Sequence, residues 1–153
     1  MEFDHSFSVA APIDAVWAAM TDIERIVPCV PKARVTGRAG ADAYDVEVML
    51  DVGPLETTAE CRITLVERDE ATHREVLTVL ATDSDGGMPV DATITIVLTP
   101  ATDRTDAALH SSVEVSGVVA LIGDDTLAGL AADAIATFAA NLEALLARVP
   151  RPA

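Results

Sequence analysis

After Pro31 the chain takes up a period of two, in a first strand before Tyr44 and then almost without interruption to Val115, and this restricts its fold more than any other feature. Tyr44, Val46, Val48, Leu50 and Val52 share one face of a strand, with Asp45, Glu47 and Asp51 opposite. Past the Gly53–Pro54 turn, Leu55, Thr57, Ala59, Cys61, Ile63 and Leu65 alternate with Glu56, Thr58, Glu60, Arg62 and Thr64. "RDEAT" then turns the chain into the strand "REVLTVLAT". "DSDGG" leads to Val90, Ala92, Ile94, Ile96 and Leu98 on one apolar face, and "TPATDRT" to Ala107, Leu109, Ser111, Val113 and Val115. One-sided alternation between regularly spaced turns predicts an antiparallel meander, wet on one face.

Helical spacing appears only at the two flanks. "EFDHSFSV" is a first strand, with Phe3, His5, Phe7 and Val9 on its inner face. Pro12 suits the first turn of a helix that carries Ile13, Val16, Trp17 and Met20. "IERIV" reads as a second short helix stopped by Pro28. At the far end, Asp124 and Asp125 open a long helix. Its stripe is Leu127, Leu130, Ala134, Phe138, Leu142, Leu145 and Val149, and Pro150 ends it. The order strand, two short helices, six strands, long helix predicts an α+β helix-grip fold. In it a strongly curved antiparallel sheet of about seven strands wraps the C-terminal helix and leaves a hydrophobic cavity between them. No linker or repeat divides residues 1–150, which read as a single domain with 151–153 as a frayed tail.

Composition narrows the function. Half of the 153 residues are apolar, yet there are only three Phe, one Tyr and one Trp, so the interior is aliphatic. A net charge of −15 excludes nucleic acid as a partner and leaves at most transient membrane contact. No apolar run approaches the ~20 residues of a membrane span, and "VSGVVALIG" is the nearest. No signal peptide precedes Phe3, and Cys29 and Cys61 lack metal spacing, so both read as reduced thiols of a cytoplasmic protein. The residues call for no cofactor and no metal, and leave monomer and homodimer equally open.

The chemistry is sparse. There is no Gly-x-Ser-x-Gly, no His-Glu-x-x-His and no phosphate-cradling glycine loop, which leans the reading away from an enzyme. His5 and Tyr44 are the weak candidates for moving a proton; His5 reads first as a satisfied, partly buried strand histidine. His73 falls at a turn and His110 on the wet face. "DSDGG" lacks the ligands of a calcium loop. Cys29, clamped between Pro28 and Pro31, reads as a buried corner, because no spacing brings Lys32 or Arg34 against it. Trp17 is either core or pocket wall. The expected cavity wall has three parts: Trp17, Met20 and Cys29 at one end; Tyr44, Val48, Leu50, Cys61, Ile63, Ile94, Ile96 and Val113 from the sheet; and Leu130, Ala134 and Phe138 from the long helix. Gly117 and Gly123 bracket a greasy connection that could serve as the mouth.

"FSVAAPIDAVWAAMTDIERIVPCVPKA" resembles the amino-terminal pattern of the carbon monoxide dehydrogenase CoxG group, within the START-like (SRPBCC) superfamily of bacterial and other proteins. Pro12, Val16, Trp17, Asp22, Cys29 and Pro31 match that pattern, as do Val52, Gly53 and Pro54 further on. The chain departs from it at Lys32, where the group usually has Gly. The resemblance implies a cavity that binds or carries a hydrophobic, lipid- or quinone-like small molecule. It also implies a role as an accessory to a carbon monoxide dehydrogenase or related molybdenum hydroxylase. The same fold houses polyketide cyclases and dehydratases, which is the alternative function.

Overall fold

The structure is a computed structural model that describes residues 2–30, 32–52, 55–83, 90–115 and 124–148. The chain begins with β1 (Glu2–Val9), α1 (Ile13–Met20) and α2 (Ile23–Ile26), and a 3-10 turn over Val27–Cys29 follows. Six strands come next: β2 (Ala33–Arg38), β3 (Ala43–Val52), β4 (Leu55–Asp69), β5 (Arg74–Asp83), β6 (Val90–Ala101) and β7 (Arg104–Val115). A long helix, α3 (Asp124–Arg148), completes the order. The expected helix-grip architecture is therefore present.

All seven strands form one antiparallel sheet in the order β1-β7-β6-β5-β4-β3-β2. Strands β2 to β7 make the meander, and β1 adds to its far edge beside β7. The first and second strands therefore lie on opposite edges, and α1, α2 and the 3-10 turn must cross the end of the sheet to join them. That crossing puts Val16, Ala19, Met20, Ile23 and Val27 into the core, each at most 2% exposed. The register shifts between Val35 and Gly37 on β2 and between Leu65 and Glu67 on β4. Such bulges bend and twist a strand locally, which is what a curled sheet requires.

Helix α2 ends at Ile26 with Val27 as its C-cap, directly before Pro28, as expected. Pro28 itself sits inside the 3-10 turn, near the start of a tighter helix where a missing N–H is harmless. Lys32 follows with φ 60°, in the left-handed region that favours glycine, which explains why the resembling pattern has Gly there. The turn is pinned to the sheet by the Met49 N–H donating to the Lys32 carbonyl at 3.1 Å. At the other corner, the buried Thr105 hydroxyl donates to the Ala11 carbonyl at 2.8 Å and fixes the start of α1.

Helix α3 runs along β1 and the 3-10 turn. Phe138 meets Phe7 edge-on at 5.9 Å, and the Asn141 amide donates to the Cys29 carbonyl at 2.9 Å. Leu142 is fully buried, whereas Leu127, Ile135, Phe138, Leu145 and Leu146 are half-buried. The stripe on α3 thus rotates slightly from the expected one: Ile135 joins it and Leu130 is 38% exposed. Residues 125–147 of this helix are also long and apolar enough to cross a membrane by length and composition, contrary to the expectation that no segment is. The many alanines raise the average without making a continuous run of large apolar side chains.

Candidate functional site

Cross-strand register defines the inner face of the sheet row by row. Phe7, Ala107 and Leu98 lie in the row nearest the plugged end. The next row is His5, Leu109, Ile96 and Glu75, and beyond it come Phe3, Ser111, Ile94, Leu77 and Leu65. Further out are Val113, Ala92, Val79, Ile63 and Tyr44, followed by Val115, Val90, Ala81, Cys61 and Val46.

Burial along these rows is uneven. Leu98 and Ile96 are both 3% exposed. Beyond them Phe3, Ile63, Val79, Ile94, Ser111 and Val113 are only half-buried, although they face inward. Because α3 lies mainly against β1 and the 3-10 turn, it does not fill the concave surface of the central strands, and apolar side chains there keep accessible area. This half-buried aliphatic surface is the candidate site.

The sequence-predicted wall divides between plug and site. Trp17, Met20 and Cys29 are buried and belong to the plug. Trp17 touches the His73 ring edge-on at 5.4 Å, and His73 holds φ 51° at the β4–β5 turn while its carbonyl accepts from Leu98 N–H. The Cys29 thiol lies 3.8 Å from the Arg25 carbonyl, as a corner residue would. Ile96 and Cys61 are buried in the sheet, and burial pushes the Cys61 thiol up to about 11, which makes it a poor nucleophile. Tyr44, Val48, Ile63, Ile94, Val113, Ala134 and Phe138 are half-buried. Tyr44 stands at the rim with the Arg38 guanidinium 5.4 Å above its ring. The side chain of Leu50, the part of "DSDGG" after Asp83, the segment from Gly117 to Gly123, and Val149 with Pro150 lie outside what the structure describes.

His5 stacks beside Phe3 at 6.3 Å, and its Nε2 is buried with no hydrogen-bond partner. The satisfied strand histidine is therefore not what the structure holds at that nitrogen. The other two histidines behave differently. The exposed His110 pairs through Nδ1 with Asp4 at 2.7 Å and through Nε2 with Glu2 at 3.3 Å; the Asp4 hydrogen bond raises its pKa. Among the described residues, no group of His, Cys, Asp and Glu could hold a metal ion. A depression of about 440 Å³ is lined by Thr36, Asp45, Glu60, Arg62 and Leu80, with the inner-row residues Val46 and Cys61 also at its wall, and is crossed by the exposed Arg62–Asp45 pair at 3.0 Å.

Glu75 is the residue that the sequence reading missed. It is 0% exposed, stands on the inner face beside Ile96, and neither carboxylate oxygen has a hydrogen-bond partner. Burial pushes its carboxyl up to about 8, and Arg68 on β4 pulls it back only in part. A signal was available: Glu75 keeps step with Leu77, Val79 and Ala81, so a single acid interrupts an otherwise apolar period-two face.

A solved structure of a conserved protein from Geobacillus kaustophilus is similar over 97% of this chain and 96% of its own, with a TM-score of 0.87 and 23% identity. A START superfamily protein from Mycobacterium smegmatis matches over 97% and 99%, with a TM-score of 0.66 and 13% identity. Norcoclaurine synthase from Thalictrum flavum matches over 97% and 87%, with a TM-score of 0.63 and 15% identity. These likenesses establish the START-like fold. No curated protein sequence matches the chain significantly. The family model for CoxG, a carbon monoxide dehydrogenase subunit, matches residues 6–147, and the chain belongs to that family.

Proposed function

We propose that this protein binds and carries a hydrophobic small molecule, lipid- or quinone-like, between the concave sheet and α3. The observation that carries this reading is the row of inward-facing but half-buried side chains, Phe3, Ile63, Val79, Ile94 and Val113. Inward apolar area left uncovered in a folded domain costs free energy, and an apolar ligand recovers it. Membership of the CoxG family supports a place beside a molybdenum hydroxylase, to which the carrier delivers or from which it collects its ligand. The carrier works in the cytoplasm, with transient membrane contact and as a monomer or homodimer; Cys29 and Cys61 are not joined in a disulfide, which accords with that compartment.

Native mass spectrometry and solvent extraction of the protein from its own source test this. Recovery of a stoichiometric apolar compound, or saturable uptake of an apolar fluorophore, is the expected result. A protein that yields no such compound and takes up no probe overturns the reading.

A second reading, a polyketide cyclase or dehydratase, gains one observation: an acid held near neutrality is what proton transfer at such a site needs. Turnover of a linear polyketide that Glu75→Gln abolishes would support it, and turnover unchanged in that variant and in His5→Ala would end it.

A further inference from the structure

Glu75 has no use in holding this fold together. Its oxygens have no hydrogen-bond partner, Arg68, its direct cross-strand partner, keeps an exposed side chain and offsets the burial only in part, and the residue is fully buried. Replacing such a group with an apolar one would normally stabilise a protein. Its position is also specific. Glu75 lies on the inner face one row before Phe3, Ser111 and Ile94, which are half-buried, and Leu77, which is 5% exposed, so its carboxyl sits sealed beneath the edge of the candidate site. His5, with its own unpartnered Nε2, closes the same row three strands away.

We propose that the Glu75 carboxyl is the recognition point for the polar head of the bound ligand, and that this head presents an uncharged, hydrogen-bond-accepting oxygen such as a ketone carbonyl. The inference rests on the carrier reading and names the chemistry of its ligand. The surroundings decide which form of the acid is present. The row brings Ile96 and Leu109, and α1 turns Val16, Trp17, Ala19 and Met20 inward, none of which carries charge. The titratable or charged neighbours are Arg68 on β4, His73 at the turn and His5 on β1. Burial dominates them and favours the neutral acid, which has one O–H to donate. A carbonyl at the head of an otherwise apolar molecule accepts that O–H, while its tail covers Ile94, Val113 and Val79. A cationic head would instead demand the ionised carboxylate, and a hydrocarbon would leave the O–H unmade.

Three matched probes test the full-length protein near neutral pH: a dodecanoylnaphthalene ketone, dodecylnaphthalene and the corresponding naphthyl-dodecylamine. The ketone should bind about tenfold tighter than the hydrocarbon, the effect of one buried hydrogen bond. Glu75→Leu should erase that preference while keeping hydrocarbon binding, and Glu75→Gln should retain most of it, because an amide N–H can donate. The infrared band of a protonated carboxyl should be present in the wild type, shift when the ketone binds, and vanish in Glu75→Gln. That readout serves even if Glu75→Leu does not fold. Equal binding of ketone and hydrocarbon overturns the role of Glu75 but leaves the carrier reading standing, as does tightest binding of the amine. Failure of all three probes to bind overturns both.

Discussion

The two ends of the concave surface use the same kinds of residue to opposite effect. Where α1, α2 and the 3-10 turn cross the sheet, Val9, Val16, Ala19, Met20, Ile23 and Val27 are all at most 2% exposed. On the central strands, which α3 does not fill, Ile63, Val79, Ile94 and Val113 face inward just as surely yet stay half-buried. The plugged end is a close-packed interior in which every methylene is matched. The open end is an interior awaiting contents. Sidedness alone does not distinguish them; what distinguishes them is whether another element of the chain lies over the surface.

The largest effect should therefore separate the two regions directly. Met20→Ala at the plugged end should cost about 2–5 kcal/mol, because a cavity opens in packed surroundings. Ile94→Ala on the open face should cost less than half as much, since little packing is lost there. Urea unfolding of both variants measures this, and equal losses would mean that the open face is packed after all.

Glu75 marks the border between the regions and should respond to pH. Its folded pKa, about 8, lies above the ordinary 4.5, so the folded state holds a proton that the unfolded chain releases. Its effect on stability is most favourable below pH 4.5 and is lost as pH rises towards 8. Glu75→Leu should remove that slope and, by pH 8, leave the protein about 1–3 kcal/mol more stable than the wild type. Melting temperatures across this range check it. A slope that persists in the variant would assign the titration to another group.

A smaller effect belongs to the tie between plug and grip. Asn141→Ala removes the amide that reaches the Cys29 carbonyl, and should cost about 1 kcal/mol in denaturant unfolding. It should also loosen α3, raising amide exchange in that helix more than in α1. The smallest effect concerns the corner itself. Lys32→Gly relieves a left-handed backbone and should gain at most about 1 kcal/mol. A loss there would mean that the Lys32 side chain contributes more than the strain it carries.

Much of the fold was legible because period two and period 3.6 are imposed by geometry within one strand or one helix. Ile94 and Val113 could be assigned to the inner face from spacing alone, and Phe138 and Leu142 to the inner side of α3. Their degree of burial could not, because it depends on where α3 settles, and that follows from contacts with Phe7 and Cys29 far away in sequence. Trp17 was ambiguous for the same reason: its burial in the core cluster, with His73 edge-on to its ring, depends on elements far away in sequence. Glu75 is harder to read, because an acid in the second position of "REVLTVLAT" shows no burial until pairing with Ile96 sets it on the inner face.

The sequence by itself determined the strands, their inner faces, the closing helix and the family, since each is written in local periodicity or in short motifs such as Pro28–Cys29–Val30–Pro31. Tertiary structure alone tied that corner to α3, through the Asn141 amide on the Cys29 carbonyl, and left part of the apolar face only half-buried. It alone also set an unpaired carboxyl beneath the edge of that face. Those outcomes depend on which distant elements meet, and no local pattern encodes the gap that remains when they do.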